Sequence, residues 1–97
     1  MQKDVFFLLN KISQSIFDKK GVNILALDVR PCHSLADYVI IAEGSVDKHV
    51  MAIAEAIQKA MEKEDWDTSF KQGMQTGDWI VLDYMQIVVH LFVPAVR

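Results

Sequence analysis

The spacing of apolar residues along the first part of the chain predicts a helix over residues 4–20. Six apolar side chains recur at helical intervals, namely Val5, Leu8, Leu9, Ile12, Ile16 and Phe17. Asp4 can cap the start, Lys19 and Lys20 suit the C-terminal dipole, and Gly21 can end the helix. The chain therefore opens with one amphipathic helix.

Two short and nearly continuous apolar runs follow, at residues 24–29 and 38–42. Runs of this length without alternation are typical of strands that are buried on both faces. Residues 28–34 separate them, and Pro31 disfavours a helix there. We therefore predict two buried strands joined by a loop.

The second half predicts one further helix and three strands. Residues at helical spacing after Gly44-Ser45 are Val46, Val50, Ile53, Ala54, Ile57, Ala60 and Met61. This helix should run to about Lys63, with Ser45 as its N-cap. Residues 67–72 can form a short strand, and two longer apolar strands meet around Met85-Gln86 and end before Pro94.

The order of these elements predicts an α/β fold. A strand–helix–strand unit implies a right-handed parallel crossover, and the last two strands are close enough to form a hairpin. We therefore expect a mixed sheet of about five strands flanked by helices. A chain of 97 residues is a single domain on length alone, here residues 1–97.

Charge and composition limit the classes of partner and the cellular compartment that we expect for this protein. The net charge of −3 disfavours a protein that coats a nucleic acid duplex, whose surface should be basic. No apolar run approaches the roughly 20 residues of a membrane helix, and the first residues lack a signal-peptide core. The single cysteine, Cys32, cannot form an internal disulfide. A cytoplasmic protein without a membrane partner is expected.

One enzymatic pattern is incomplete. Nucleotidyltransferases place a Gly-Ser pair between a strand and a helix, as Gly44-Ser45 stands here, and follow it with two metal-binding aspartates on one strand face. That face requires Asp-x-Asp spacing because side chains alternate along a strand. Here Asp67 is followed by Ser69. Asp78 and Asp83 are an odd number of positions apart, so they should point to opposite faces. Nucleotidyl transfer is disfavoured.

Metal-site and nucleophile motifs give no stronger signal. There is no Gly-x-Ser-x-Gly elbow, Walker loop or Gly-x-Gly-x-x-Gly motif. His33, His49 and His90 are distant in sequence, so a zinc site with Cys32 would depend on folding alone. Histidines that are solvated or hydrogen bonded are the preferred interpretation, and no metal or other cofactor is expected.

The stretch GDWIVLDYMQIVVHLF, residues 77–92, combines polar and aromatic side chains with aliphatic ones. On its first strand, Trp79 and Asp83 share one face, while Leu82 and Tyr84 share the other. A mixed aromatic face is typical of a protein-binding surface. The alternative is that a helix covers Trp79 as a core aromatic residue. Trp66, at the end of the second helix, is expected to seal the edge of the core.

Several blocks together resemble the ribosomal silencing factor family, also called Iojap-like or RsfS. They are LDVR at residues 27–30, SLADYVIIAEGS at 34–45, IAEAI at 53–57 and GDWIVLDYMQIVVHLF followed by VR. The order of the blocks matches the family, and the first helix matches its usual N-terminal helix. The resemblance implies a nucleotidyltransferase-like sheet without the catalytic set, and therefore a protein that is not an enzyme.

The function that the resemblance implies is repression of translation. Family members bind the fourteenth protein of the large ribosomal subunit at its intersubunit side. They thereby sterically keep the small subunit from joining when nutrients are short. Organellar relatives act in ribosome assembly, and some members dimerise, so a homodimer is possible here. Little direct contact with nucleic acid is expected from the acidic charge balance.

The resemblance also implies which residues form the docking site. On the first hairpin strand they are Trp79, Leu82 and Asp83, with the adjoining Tyr84. Trp79 and Leu82 would serve as apolar anchors and Asp83 as the partner of a basic group. Asp37, Tyr38 and His90 match further family positions. For Asp37 a structural hydrogen bond before its strand is an equal alternative.

Departures from the family pattern concern two turns and the end of the chain. Met85-Gln86 stands where many relatives have Gly-Asp, and Gln72-Gly73 where Glu-Gly is common. Relatives usually continue past the position of Arg97 into a Leu-Glu-x-Leu-Trp segment.

Two other functions remain open from the residues: a nucleotide-binding or nucleotidyl-transferring enzyme, and a dimerisation module that uses the hairpin edge.

Overall fold

The order of helices and strands matches the sequence prediction. The structure, a computed structural model, describes residues 4–32 and 35–97. Its elements are α1 (Val5–Asp18), β1 (Val22–Asp28), β2 (Tyr38–Glu43), α2 (Asp47–Glu62), β3 (Phe70–Gln72), β4 (Trp79–Asp83) and β5 (Ile87–Phe92). One turn of 3₁₀ helix, Arg30–Cys32, lies in the predicted loop after β1. No helix within the described ranges is both long and apolar enough to cross a membrane.

The five strands form one mixed sheet in the order β1-β2-β5-β4-β3. β2 pairs with β5 in parallel, and all other neighbours are antiparallel. β4 and β5 form the predicted hairpin. The chain leaves β2 through α2 and crosses the sheet to β3 at the far edge, so the crossover helix spans the two strands of the hairpin. The α/β fold with a mixed sheet is confirmed.

Both helices pack on the same face of the sheet. The apolar side chains on the inner faces of the two helices pack against every second residue of the strands and form one core. Its fully buried side chains are Leu8, Ile12, Ile16, Ile40, Ala42, Val50, Ile53, Ala54, Ile57, Met61, Ile80, Leu82, Ile87, Val89 and Leu91. Trp66 packs against this core from its edge, as predicted. Burial of these apolar side chains is the main stabilising contribution to the fold.

The other face of the sheet is not covered by any element of the described chain. β1 was predicted to be buried on both faces, but it is an edge strand and all its residues are exposed. β2 alternates between buried and half-buried residues and is likewise covered on one side only. The prediction was wrong because an unbroken apolar run reveals neither whether a strand lies at the edge of the sheet nor which of its faces the helices cover.

The two helix starts differ in how well the sequence predicted them. Asp4 caps α1, since its carboxylate accepts the backbone N–H of Phe6 at 2.8 Å. Ser45 does not cap α2; the N-cap position is Val46. The backbone N–H of Ser45 donates instead to Nδ1 of His49 at 2.8 Å, and Nε2 of His49 donates to the carbonyl oxygen of Lys19 at 2.6 Å. His49 thus joins the start of α2 to the end of α1.

Candidate protein-docking surface

We call the side of the sheet opposite the helices the open face. Strand registers arrange it in three rows across the sheet: Leu25, Ile41, His90, Val81 and Gln72; Leu27, Val39, Val88, Asp83 and Phe70; and Glu43, Phe92 and Trp79. Residues directly opposite one another on paired strands project on the same side. Most of these side chains are apolar, although no described element lies over them.

Several of the large apolar side chains on the open face are well exposed. Trp79 is 50% exposed, Phe70 55% and Leu25 45%. Isolated exposed apolar residues are normal, but a contiguous patch of them marks an interaction surface. The open face is contiguous because its members are neighbours on hydrogen-bonded strands. Its chemistry suits burial against another macromolecule.

Three ring side chains form an ordered group at one end of the open face. The rings of Trp79 and Phe92 stack with centroids 5.5 Å apart, and those of His90 and Phe92 stack at 6.1 Å. The indole N–H of Trp79 donates to Nδ1 of His90 at 3.2 Å. Rings held by neighbours in this way lose little side-chain freedom when a partner binds.

The protonation state of His90 follows from this geometry. Nδ1 accepts the indole N–H of Trp79, so the neutral ring carries its proton on Nε2. Partial burial lowers the pKa of His90 below its ordinary value, because burial penalises the charged form. His90 is therefore neutral near pH 7, and it presents an uncharged ring within the aromatic group.

The two carboxylates in the rows of the open face are both engaged within the chain. The carboxylate of Asp83 accepts the backbone N–H of Met85 at 2.8 Å, in a turn where Met85 adopts a φ of +72°. Glu43 pairs with the guanidinium of Arg97 at 2.6 Å. Asp83 therefore has a structural role in the hairpin turn, which competes with the predicted role of binding a basic group.

Of the residues that the sequence assigned to the docking site, the structure brings three together on the open face: Trp79, Asp83 and His90. Leu82 is 0% exposed and Tyr84 is 1% exposed. Their side chains lie in the core beneath the helices, because they alternate with the open-face residues of β4. Neither can act as an accessible anchor, and we exclude both from the docking surface.

The remaining two predicted residues lie at the opposite end of the sheet. Tyr38 is buried, and its ring contacts Phe6 at 5.8 Å between centroids and the guanidinium of Arg30 at 5.3 Å. The backbone N–H of Asp37 donates to the carbonyl oxygen of Gln86 at 2.9 Å. These residues connect the loop before β2 to the turn of the hairpin and are separate from the aromatic group.

Sequence reasoning missed much of the open face. Ile41, Leu25, Leu27 and Phe70 belong to it but were read as core or left without a role. They could have been found by comparing the apolar area of the predicted sheet with the area that the two predicted helices can cover. Two amphipathic helices cover about one face of a five-stranded sheet, so apolar residues on the second face require another partner.

The described residues show no arrangement suited to a metal. Residues 4–32 and 35–97 contain no group of three or more His, Cys, Asp or Glu side chains that could hold an ion. Cys32 is exposed, and His33 of the hypothetical zinc site lies outside the described residues. What the described residues do provide is an exposed and mostly apolar surface on the open face.

An exposed aromatic surface on the side of a sheet opposite its helices is typical of proteins that bind other macromolecules. Comparison with known families gives the particular assignment. Residues 3–97 match the family described as "Ribosomal silencing factor during starvation". The chain therefore belongs to the ribosomal silencing factor family.

Individual relatives agree with this assignment. The chain is similar to the ribosomal silencing factor RsfS of Zymomonas mobilis, with 31% identity over 97% of this chain and 71% of the relative. It is 32% identical to that of Chromobacterium violaceum over 87% of this chain and 69% of the relative. Both alignments extend over most of the two proteins compared.

Solved structures support the fold in the same way. A crystal structure of a protein from Chromobacterium violaceum matches 98% of this chain and 79% of that one, with a TM-score of 0.95 and 28% identity. A second, from Bacillus halodurans, matches 89% of this chain and 80% of that one, with a TM-score of 0.84 and 29% identity. The arrangement of helices and strands in this chain is therefore shared with solved structures.

Proposed function

We propose that this protein represses translation by docking its open face on the large ribosomal subunit. The partner is the fourteenth protein of that subunit, on the side that faces the small subunit. Occupation of this place keeps the small subunit from joining, so initiation stops when nutrients are short. The observation that carries the proposal is the exposed aromatic and aliphatic surface around Trp79, in a chain of the silencing factor family.

The open face supplies the binding energy in this proposal. Trp79 is half exposed and already ordered by Phe92 and His90, so burial against a partner costs little conformational entropy. Aromatic residues of this kind are frequent hot spots, and truncation to alanine typically costs about 2 kcal/mol, or roughly thirtyfold in affinity. The surrounding aliphatic residues exclude water from the contact.

The shape of the molecule explains how its binding would obstruct the small subunit. The chain measures 36 × 30 × 21 Å, with the helices on the side opposite the docking surface. When the open face is bound, α1 and α2 project away from the large subunit toward the space of the small subunit. Steric exclusion requires no chemical step, so the proposed function is not enzymatic and needs no cofactor.

Co-sedimentation with purified large ribosomal subunits tests the docking surface. The wild-type protein should pellet with the subunits, and Trp79→Ala should bind roughly thirtyfold more weakly because the central aromatic contact is lost. Phe17→Ala is the matched control, since Phe17 is 68% exposed on α1 in the helix layer. It should bind as the wild type does.

Two results would contradict the proposal. Equal binding of Trp79→Ala and the wild type would show that the open face is not the contact. Failure of the wild type to sediment with large subunits would remove the ribosomal partner itself. Circular dichroism of each variant ensures that the comparison is made between folded proteins.

A further inference from the structure

The two edges of the sheet differ in how well they are protected. β1 and β3 are the edge strands, because the hairpin strands β4 and β5 lie inside the sheet. β3 has three residues and contains Lys71, whereas β1 has seven residues and contains no lysine, arginine or proline. Short strands, lysine and proline are features that keep an edge strand from pairing with another chain. β3 is therefore protected, and β1 presents an unprotected edge.

The regular part of β1 turns backbone groups outward at every second residue. The backbone N–H of Val29 donates to the carbonyl oxygen of Asp37 at 2.9 Å, which continues the ladder between β1 and β2. Because alternate residues of an antiparallel strand bond to the same neighbour, the N–H and C=O groups of Ala26 and Asp28 point away from β2. The bulge of β1 ends at Leu25, so it does not interrupt this stretch.

The flank of α1 above this edge is apolar and exposed. α1 packs over β1, and α2 packs over β4 and β5. Lys11 pairs with Glu64, which follows α2, at 3.9 Å, so this flank of α1 faces α2. Phe6 and Phe17 are three helical turns apart and lie on the other flank, on the side of the free edge of β1. Both rings are exposed. Apolar surface therefore borders the edge in the helix layer as well as on the open face.

We infer that the edge of β1 pairs with β1 of a second copy of this chain. Antiparallel pairing about a twofold axis is self-complementary, because each strand presents the same groups to the other. The register that pairs the outward-facing residues places Ala26 opposite Ala26 of the second copy. Leu25 then lies opposite Leu27 of the second copy on the open face, and the twofold axis repeats this leucine pair. The two sheets join into one continuous sheet.

The helix layer and its charges suit the same arrangement. The two α1 helices lie side by side and antiparallel across the twofold axis, where the small side chain of Ala26 leaves room for the phenylalanine rings. The Lys19-Lys20 end of one helix then lies near the Asp4 end of the other. Opposite charges and opposed helix dipoles make this orientation favourable.

The size of the contact indicates a weak dimer. The seven residues of β1 span about 23 Å at about 3.3 Å per residue. With the 21 Å smallest dimension of the chain as its depth, the contact covers roughly 500 Å² per copy. Specific interfaces bury roughly 800 Å² per partner, so this contact belongs to the small end of the range. The dimer should therefore form only as the protein concentration increases.

The proposed dimer goes beyond the docking function and leaves the docking surface free. Trp79 lies on β4, three strand positions away from β1 and about 14 Å across the sheet. The twofold axis is perpendicular to the joined sheet, so both open faces point to the same side and neither covers the other. Association is a property of the free chain and needs no ribosomal component.

Sedimentation equilibrium of the purified protein over a range of concentrations tests the interface. The mass of the wild type should rise from 11.0 kDa toward twice this value. Ala26→Lys places two ammonium groups opposite each other at the twofold axis and should raise the dissociation constant of the dimer about fivefold. Gln72→Lys is the matched control, since it adds the same charge to the other edge strand, β3. It should remain within about twofold of the wild type.

A mixture of two variants tests the register and also shows that both are folded. Ala26→Glu alone should weaken the dimer as Ala26→Lys does, because two carboxylates then face each other. An equal mixture of Ala26→Lys and Ala26→Glu should associate more tightly than either variant alone, since opposite charges meet at the axis. Only folded chains that pair through residue 26 can give this recovery.

Three results would overturn the β1 interface. The first is a wild type that keeps a mass of 11.0 kDa up to roughly 1 mM. The second is a dimer that Ala26→Lys leaves as tight as the wild type, which would place the contact elsewhere on the chain. The third is a mixture that associates no better than its separate variants. Because no ribosomal subunit is present, these results are independent of whether the docking proposal holds.

Discussion

Tyr84 matches the family pattern for a contact residue, but its burial gives it a structural role in the core. It is the largest of the fully buried side chains, although the family pattern suggested a contact residue. Its hydroxyl is buried and has no hydrogen-bond partner within the described residues. Burial raises the pKa of the Tyr84 phenol, and the carboxylates of Glu62 and Asp67 add to this effect. The ring stabilises the core, whereas the hydroxyl carries a desolvation cost.

Tyr84→Phe should therefore increase the free energy of unfolding by about 1 kcal/mol, because the ring is kept and an unpaired polar atom is removed. In a domain of this size the midpoint of thermal unfolding should rise by roughly 4–8 °C. Tyr84→Leu is the matched variant and should lower stability, since it leaves part of the ring volume empty. Calorimetry of the three proteins checks both signs. A less stable Tyr84→Phe would mean that the hydroxyl makes a favourable bond in solution.

At the level of elements, β4 and β5 are joined on the open face by the bond between Trp79 and His90. Because burial lowers the pKa of His90 in the folded chain, the unfolded chain binds a proton more readily. The stability that the neutral ring provides is complete above the unfolded value of about 6.5. It is lost as the pH falls from that value through the lower folded pKa.

An NMR titration of the His90 ring should thus give a midpoint below about 6.5. Trp79→Phe removes the indole N–H that favours the neutral ring, so the midpoint should move up toward the ordinary value. The difference in unfolding free energy between the wild type and His90→Gln should also shrink as the pH falls below that value. A wild-type midpoint at or above about 6.5 would contradict the account of this pair.

The elements also show what the sequence can predict. The order of helices and strands, the Asp4 cap and the edge-sealing position of Trp66 followed from local spacing and capping chemistry. The exposure of β1 did not, because a run of apolar residues is equally compatible with an internal and an edge strand. Ser45 failed as a cap because α2 begins one residue later, with Val46 at the N-cap position, and the Ser45 hydroxyl lies 3.1 Å from Nδ1 of His49.

The same limit applies to the docking site. Strand alternation correctly separated Trp79 and Asp83 from Leu82 and Tyr84, but it could not decide which set faces the helices. That choice depends on where α1 and α2 pack, which is a long-range property.

For the whole molecule, the one-sided arrangement of helices explains the high apolar content of 52%. One part of these residues forms the core, and another part forms the open face. A protein that kept such a surface for solvent alone would risk aggregation, so a binding partner is the physically reasonable explanation. The helix layer then determines what the bound protein obstructs.

The most direct test of the central claim is a subunit-joining assay with purified ribosomal subunits, followed by light scattering. Large subunits incubated first with the wild-type protein should join small subunits less as the protein concentration increases. Phe17→Ala should inhibit equally, whereas Trp79→Ala should require roughly thirtyfold more protein for the same effect. Normal joining in the presence of bound wild-type protein, or equal inhibition by Trp79→Ala, would contradict repression through the open face.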